Sequence, residues 1–162
     1  MQQITLGDAN QALAASQDDN ALDVLRDARI LLAEDNVVNT LVAEAILAQW
    51  GAKVTTVING ADAIEAVERE PGAYDAVLMD LQMPVLGGID ATIAIRQRYG
   101  ATELPIIALT ADVLVSERES ALRHGMNDFL SKPIDPDRLA HALARWVRRA
   151  RRARSEQREK LT

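Results

Sequence analysis

Three short blocks of the chain are apolar without interruption: Ile30-Leu31-Leu32-Ala33, Ala76-Val77-Leu78-Met79 and Ile106-Ile107-Ala108-Leu109. Continuous runs of this length are what strands buried on both faces of a sheet look like. Two weaker runs, Lys53 to Ile58 and Asp128 to Ser131, also fit strands, and the first alternates as a strand nearer an edge would. Helical spacing fills the gaps. Val38, Leu41, Val42, Ala45, Ile46 and Trp50 trace one face of a first helix, which Gly51 ends. Ala61, Ile64 and Val67 mark a second helix, stopped by Pro71-Gly72, and Ile89, Ile93 and Arg96 a third, closed by Gly100. Val113 to His124 forms a fourth, ending at Gly125. Asp135-Pro136 opens a fifth with an N-cap acid and a first-turn proline, and Leu139, Leu143, Trp146 and Val147 give it an apolar face.

Strand and helix thus alternate five times between residues 30 and 147. This predicts an α/β fold, a doubly wound (βα)5 parallel sheet of flavodoxin-like type with strand order 2-1-3-4-5. Residues 1–28, rich in Ala, Gln, Asn and Asp, read as a linker or N-terminal arm, in which Leu22 and Leu25 allow a short helix. Residues 29–147 form the domain, and 148–162 a basic extension of the last helix.

Composition narrows the class. The chain has 162 residues, 48% hydrophobic and 26% charged, which suits one compact domain with some tail and excludes a disordered chain. No apolar run approaches the ~18 residues of a membrane helix. Met1 to Asn10 has neither the basic start nor the apolar stretch of a signal peptide. There is no cysteine, so disulfides, thiolate metal sites and thiol catalysis are excluded and the cytoplasm is the default location. Charge is uneven: the chain carries −6 and residues 148–162 carry +5, which leaves −11 on the rest. Contact with nucleic acid, an anionic membrane or an acidic partner through this region would therefore rest on Arg148, Arg149, Arg151, Arg152 and Arg154. The plainer expectation is a solvated helix extension.

Polar residues cluster where the apolar runs stop: Glu34 and Asp35 after the first strand, Asp80 after the third, Thr110 after the fourth and Lys132 after the fifth. In an open parallel sheet the carboxyl ends of the strands line the ligand crevice at the point where strand order reverses. There Glu34, Asp35 and Asp80 would meet, with Thr110 and Lys132 beside them. Two carboxylates ~4 Å apart repel by about 4 kcal/mol at an effective dielectric near 20. The cluster therefore needs a cation, a raised pKa, or both. An all-oxygen donor set suits Mg²⁺, with Mn²⁺ the other candidate. His124 and His141 lie on helices away from the strand ends. A divalent ion beside an aspartate, a lysine and a threonine hydroxyl makes a site for a phosphoryl group, with Asp80 as the nucleophile. A single strand-end acid could merely cap a helix; five matching positions on four strands are harder to explain that way.

Leu31-Leu32-Ala33-Glu34-Asp35-Asn36, Val77 to Pro84, Gly87-Gly88, Ala108-Leu109-Thr110-Ala111 and Gly125 to Pro133, in that order, resemble a two-component response regulator receiver domain. The Glu-Asp-Asn and Met-Asp-Leu-Gln-Met-Pro stretches are similar to the receivers of hybrid sensor histidine kinases. The resemblance implies that Asp80 accepts a phosphoryl group from the phosphohistidine of a histidine kinase or histidine phosphotransfer protein. Asp35, Asp80 and the Gln82 carbonyl would bind Mg²⁺, with Glu34 acting through water. Lys132, Thr110 and the Ala111 amide would hold the phosphoryl group, and Lys132-Pro133 would be cis. Phe129 would be a switch aromatic that turns inward when Thr110 moves, altering the surface of the fourth helix, fifth strand and fifth helix. Gln82 and Asp112 would tune the lifetime of the phosphate. The module would be a phosphoacceptor, not an enzyme with its own substrate, and a monomer or weak dimer. The alternative is an interaction module that keeps the fold and works mainly unphosphorylated.

The rival classes fit less well. A haloacid-dehalogenase-type phosphatase usually needs a second acid two residues beyond its nucleophile, where this chain has Gln82. A dinucleotide or P-loop protein needs a glycine-rich turn after the first strand, where this chain has Glu34-Asp35-Asn36-Val37.

Overall fold

A computed structural model describes residues 21–111 and 114–161 of the chain. Its five strands, β1 (Arg29–Ala33), β2 (Lys53–Val57), β3 (Ala76–Asp80), β4 (Ile106–Thr110) and β5 (Asp128–Ser131), form one parallel sheet in the order β2-β1-β3-β4-β5. The helices are α1 (Val37–Gln49), α2 (Gly60–Arg69), α3 (Gly88–Arg96), α4 (Val115–Arg123) and α5 (Pro136–Leu161).

The three apolar blocks are the three central strands. Successive side chains point to opposite faces. Ile30, Leu32, Leu78, Ile107 and Leu109 therefore pack under α1 and α5, while Leu31, Ala33, Val77, Met79, Ile106 and Ala108 pack under α2, α3 and α4. A strand with helices on both sides must be apolar at every position, which is why these blocks do not alternate. β2 and β5, at the edges, are only partly covered.

Two helices bury faces that overlap only in part with those the spacing indicated: Ile46 of α1, Trp50 at its end and Arg96 of α3 do turn inward. In α1 the core side is Ala43, Ile46 and Leu47, whereas Val38, Leu41 and Val42 are 66%, 60% and 41% exposed. The helix is apolar almost all round, so spacing alone does not choose its inner face. In α3 the buried residues are Ala91, Thr92 and Ile95, and Ile93 faces out. This helix sits low on the sheet: a Cβ on Gly88 would lie 2.2 Å from the Asp80 carbonyl oxygen, so only glycine admits the approach. At the start of the helix only small residues fit against the sheet, and the larger Ile95 is buried nearer its end.

Residues near both ends of the described chain bear on the core. Leu22 and Leu25, in the stretch read as an arm, are buried in the layer under α1 and α5. α5 continues unbroken to Leu161. Its Ala150 is buried, Arg148 donates to the Ala21 carbonyl, and Arg151 and Arg154 pair with Asp75 at 3.4 and 3.8 Å. No helix among the described residues is long and apolar enough to cross a membrane.

Candidate functional site

Four of the five strands, β1, β3, β4 and β5, end at the same cleft and deliver their polar groups to it. Glu34 follows β1 and is buried; its Oε1 accepts the Asn36 N–H at 3.1 Å. Asn36 in turn caps α1, its Oδ1 accepting the Asn39 N–H at 3.1 Å. Asp80 ends β3 at 6% exposure. Its Oδ1 accepts the Gln82 N–H at 3.1 Å, and its Oδ2 accepts from Lys132 Nζ at 3.0 Å. The same Nζ lies 2.7 Å from Glu34 Oε2. Thr110 ends β4 and is buried, and its carbonyl accepts the Lys132 N–H at 2.8 Å, which fixes the lysine just past β5. The Lys132–Pro133 bond is cis.

These residues, with Asp35, Gln82 and Ala111, line an open cleft of about 440 Å³. Glu34, Asp35, Asp80, Thr110, Ala111, Lys132 and Gln82 are thus brought together. Phe129 is not among them. It lines a neighbouring groove between α4 and α5, to which Lys132 also contributes. Asp112 lies outside the described residues.

Electrostatics follow from burial and crowding. Desolvation pushes the Asp80 carboxyl above its ordinary pKa, and the nearby Glu34 charge adds to this; the Lys132 and Gln82 hydrogen bonds offset only part of it. Burial alone would lower the Lys132 pKa. Its hydrogen bonds to Glu34 and Asp80, and their charges, outweigh burial and hold it above the usual lysine value. One ammonium therefore bridges two of three acids. Oxygens of Glu34, Asp35 and Asp80 lie within 4.8 Å of one another. Three clustered carboxylates without sulfur or imidazole fit a hard divalent cation such as Mg²⁺.

Two residues at the site were not singled out from sequence. Asn39 lines the cleft from α1; the Asn-x-x-Asn capping spacing was a visible sign that its backbone is anchored there. Arg118, on α4 beside the neighbouring groove, covers the Phe129 ring, and an arginine on a polar helix gives no sign of this.

Known structures share this fold. The receiver domain of sensor histidine kinase PA1611 from Pseudomonas aeruginosa PAO1, solved with a magnesium ion coordinated in its active-site cleft, is 47% identical, with a TM-score of 0.68 over 74% of this chain and 97% of that one. The receiver domain of Ssk1, crystallised with the Saccharomyces cerevisiae histidine phosphotransfer protein Ypd1, matches at 29% identity and a TM-score of 0.67, covering 75% of this chain and 89% of that one. Residues 30–144 match the response regulator receiver domain, and the chain belongs to that family. Among curated proteins it is 43% identical over 126 residues to the sensor histidine kinase GacS of Pseudomonas protegens, covering 75% of this chain but only 13% of that protein's length.

Proposed function

We propose that the chain is a phosphoacceptor: one Asp80 oxygen attacks the phosphorus of a partner's phosphohistidine. The P–N bond breaks, the imidazole nitrogen keeps the electron pair and takes up a proton, and an aspartyl phosphate remains. The observation that carries this reading is the Asp80 carboxylate, buried and 3.0 Å from Lys132 Nζ in a cleft with two further acids. Lys132 supplies a positive charge for the phosphoryl oxygens, and Thr110 a hydroxyl beside them. Asp35, Asp80 and the Gln82 carbonyl would hold Mg²⁺, with Glu34 acting through water. When bound, the ion neutralises phosphoryl charge; Mn²⁺ suits the same oxygens.

A protein donor has to approach over the cleft rim. There α1 presents Val37, Val38, Leu41 and Val42, 41–72% exposed, immediately beyond Asn36 and Asn39. An apolar face beside the acceptor suits a helical partner carrying the phosphohistidine. The Ssk1 receiver crystallised with Ypd1 supports the partner class.

The test is incubation with phosphoramidate, a small P–N donor, and Mg²⁺, followed by intact mass. The expected result is a gain of one phosphoryl group that needs Mg²⁺ and disappears in Asp80→Asn. An unchanged mass overturns the reading and favours an interaction module.

A further inference from the structure

A small cavity of about 130 Å³ lies at the other edge of the sheet, where the strands begin. It is walled by the end of α2, the turn before β3, the stretch between α3 and β4, and the extension of α5. Val67 and Leu104, both buried, give it an apolar lining. Tyr74 and Tyr99, half-buried and the only tyrosines of the chain, line it as well. Arg154 and Gln157 complete it from α5.

The charges on this lining are matched except for one. Arg154 pairs with Asp75 at 3.8 Å, and Glu70 with Arg29 at 3.3 Å. Arg29 also lies 5.6 Å from the centroid of the Tyr74 ring, outside the cavity, so that ring already attracts a cation. Glu103 is different. Its Oε1 accepts the Gly100 N–H at 3.4 Å, and among the described residues it has no ion-pair partner. Arg96 is near enough to feel its charge, but Arg96 is outside the lining and gives its hydrogens to the carbonyls of Gly125 and Leu104 and to Asn127.

We propose that this cavity binds a small arylalkylamine, with its ring against Tyr74 and Tyr99 and its ammonium on Glu103. Size fits one ring: a closed apolar cavity of about 150 Å³ holds benzene. Aromatic neighbours favour an aromatic occupant and attract a cation to their faces. An anion is disfavoured, because the one guanidinium on the lining is taken by Asp75 and two carboxylates stand at the rim. The site lies away from the Asp80 cleft and does not rest on the phosphoacceptor reading. Since Arg154 and Gln157 form one wall, an occupant would hold the α5 extension against the body of the domain.

The test is a titration of the full chain with benzylamine, benzyl alcohol and benzoate, read from the ring NMR resonances of the two tyrosines. Benzylamine should shift both rings and saturate at roughly millimolar concentration, the range open to so few atoms. Benzyl alcohol, similar in shape but uncharged, should bind about tenfold more weakly, and benzoate should leave the rings unshifted. Glu103→Gln, at an exposed position, keeps an acceptor for Gly100. It should weaken benzylamine about tenfold and leave benzyl alcohol unchanged, as loss of one charge-assisted hydrogen bond would. Amide hydrogen exchange over residues 150–157 should slow when benzylamine is bound. Rings that show no saturable shift overturn the proposal, as does equal binding of amine and alcohol. An affinity for benzylamine that Glu103→Gln leaves intact overturns it too, and so does exchange over 150–157 that the bound amine does not change.

Discussion

Asp80 serves chemistry at the expense of the fold. Its pKa is raised by burial, so the folded state holds its proton more tightly than the unfolded chain does. The stability linked to this group is present below the ordinary aspartate pKa and is lost as pH rises through the raised value. Asp80→Asn removes that penalty. It should raise Tm by several degrees at neutral pH, as about 1 kcal/mol does in a domain of this size, and scanning calorimetry with and without Mg²⁺ should show the metal-induced rise in Tm largely lost. Lys132→Ala has the opposite character. It removes the cation that competes for Glu34 and Asp80, so isothermal calorimetry should find tighter Mg²⁺ binding while phosphoramidate labels the chain at least about tenfold more slowly. Glu34, Asp35, Asp80, Thr110 and Lys132 were legible in the sequence because each terminates or follows an apolar strand, and parallel strands end on one edge. Asn39 and Arg118 were not, because the value of a helical side chain depends on which face turns inward.

That choice of face is the main thing the pattern of elements left open. α1 carries apolar residues on nearly every side, and only packing shows that Ala43, Ile46 and Leu47 go in. The outward residues are then free for a partner. Leu41→Asp should change stability by less than about 0.5 kcal/mol and leave labelling by phosphoramidate intact, yet slow transfer from a phosphorylated histidine phosphotransfer protein; stopped-time transfer assays read the difference. Arg96 shows the converse, a charged residue that belongs inside. Its guanidinium donates to the carbonyls of Gly125 and Leu104 at 2.7 and 2.8 Å and to Asn127 Oδ1 at 2.8 Å, and it contacts those of Tyr99 and Gly100. Burial pushes its pKa down to about 10, so it stays charged at neutral pH. It ties the end of α3 to the loops that enter β4 and β5. Arg96→Met should cost about 3 kcal/mol in urea unfolding, since several acceptors lose their donor at once.

Across the whole molecule, strand order was readable because alternation of strand and helix leaves few topologies, while the limits of the packed unit were not. Leu22 and Leu25 lie in a polar stretch and Ala150 in an arginine-rich one, so neither composition nor spacing marks them as core. Truncation after Val147 removes Ala150, the Arg148 bond to Ala21 and both ion-pair partners of Asp75, which keeps only the Arg29 N–H. It should lower unfolding free energy by roughly 2 kcal/mol, read by chemical denaturation, without abolishing phosphorylation at the opposite edge of the sheet. The claim on which all else depends is that an acyl phosphate forms on one named carboxylate. Hydroxylamine converts an aspartyl phosphate to a hydroxamate, and peptide mapping after treatment with phosphoramidate and Mg²⁺ locates it. The hydroxamate should fall on Asp80 alone; its appearance on Glu34 or Asp35, or nowhere, would contradict the account.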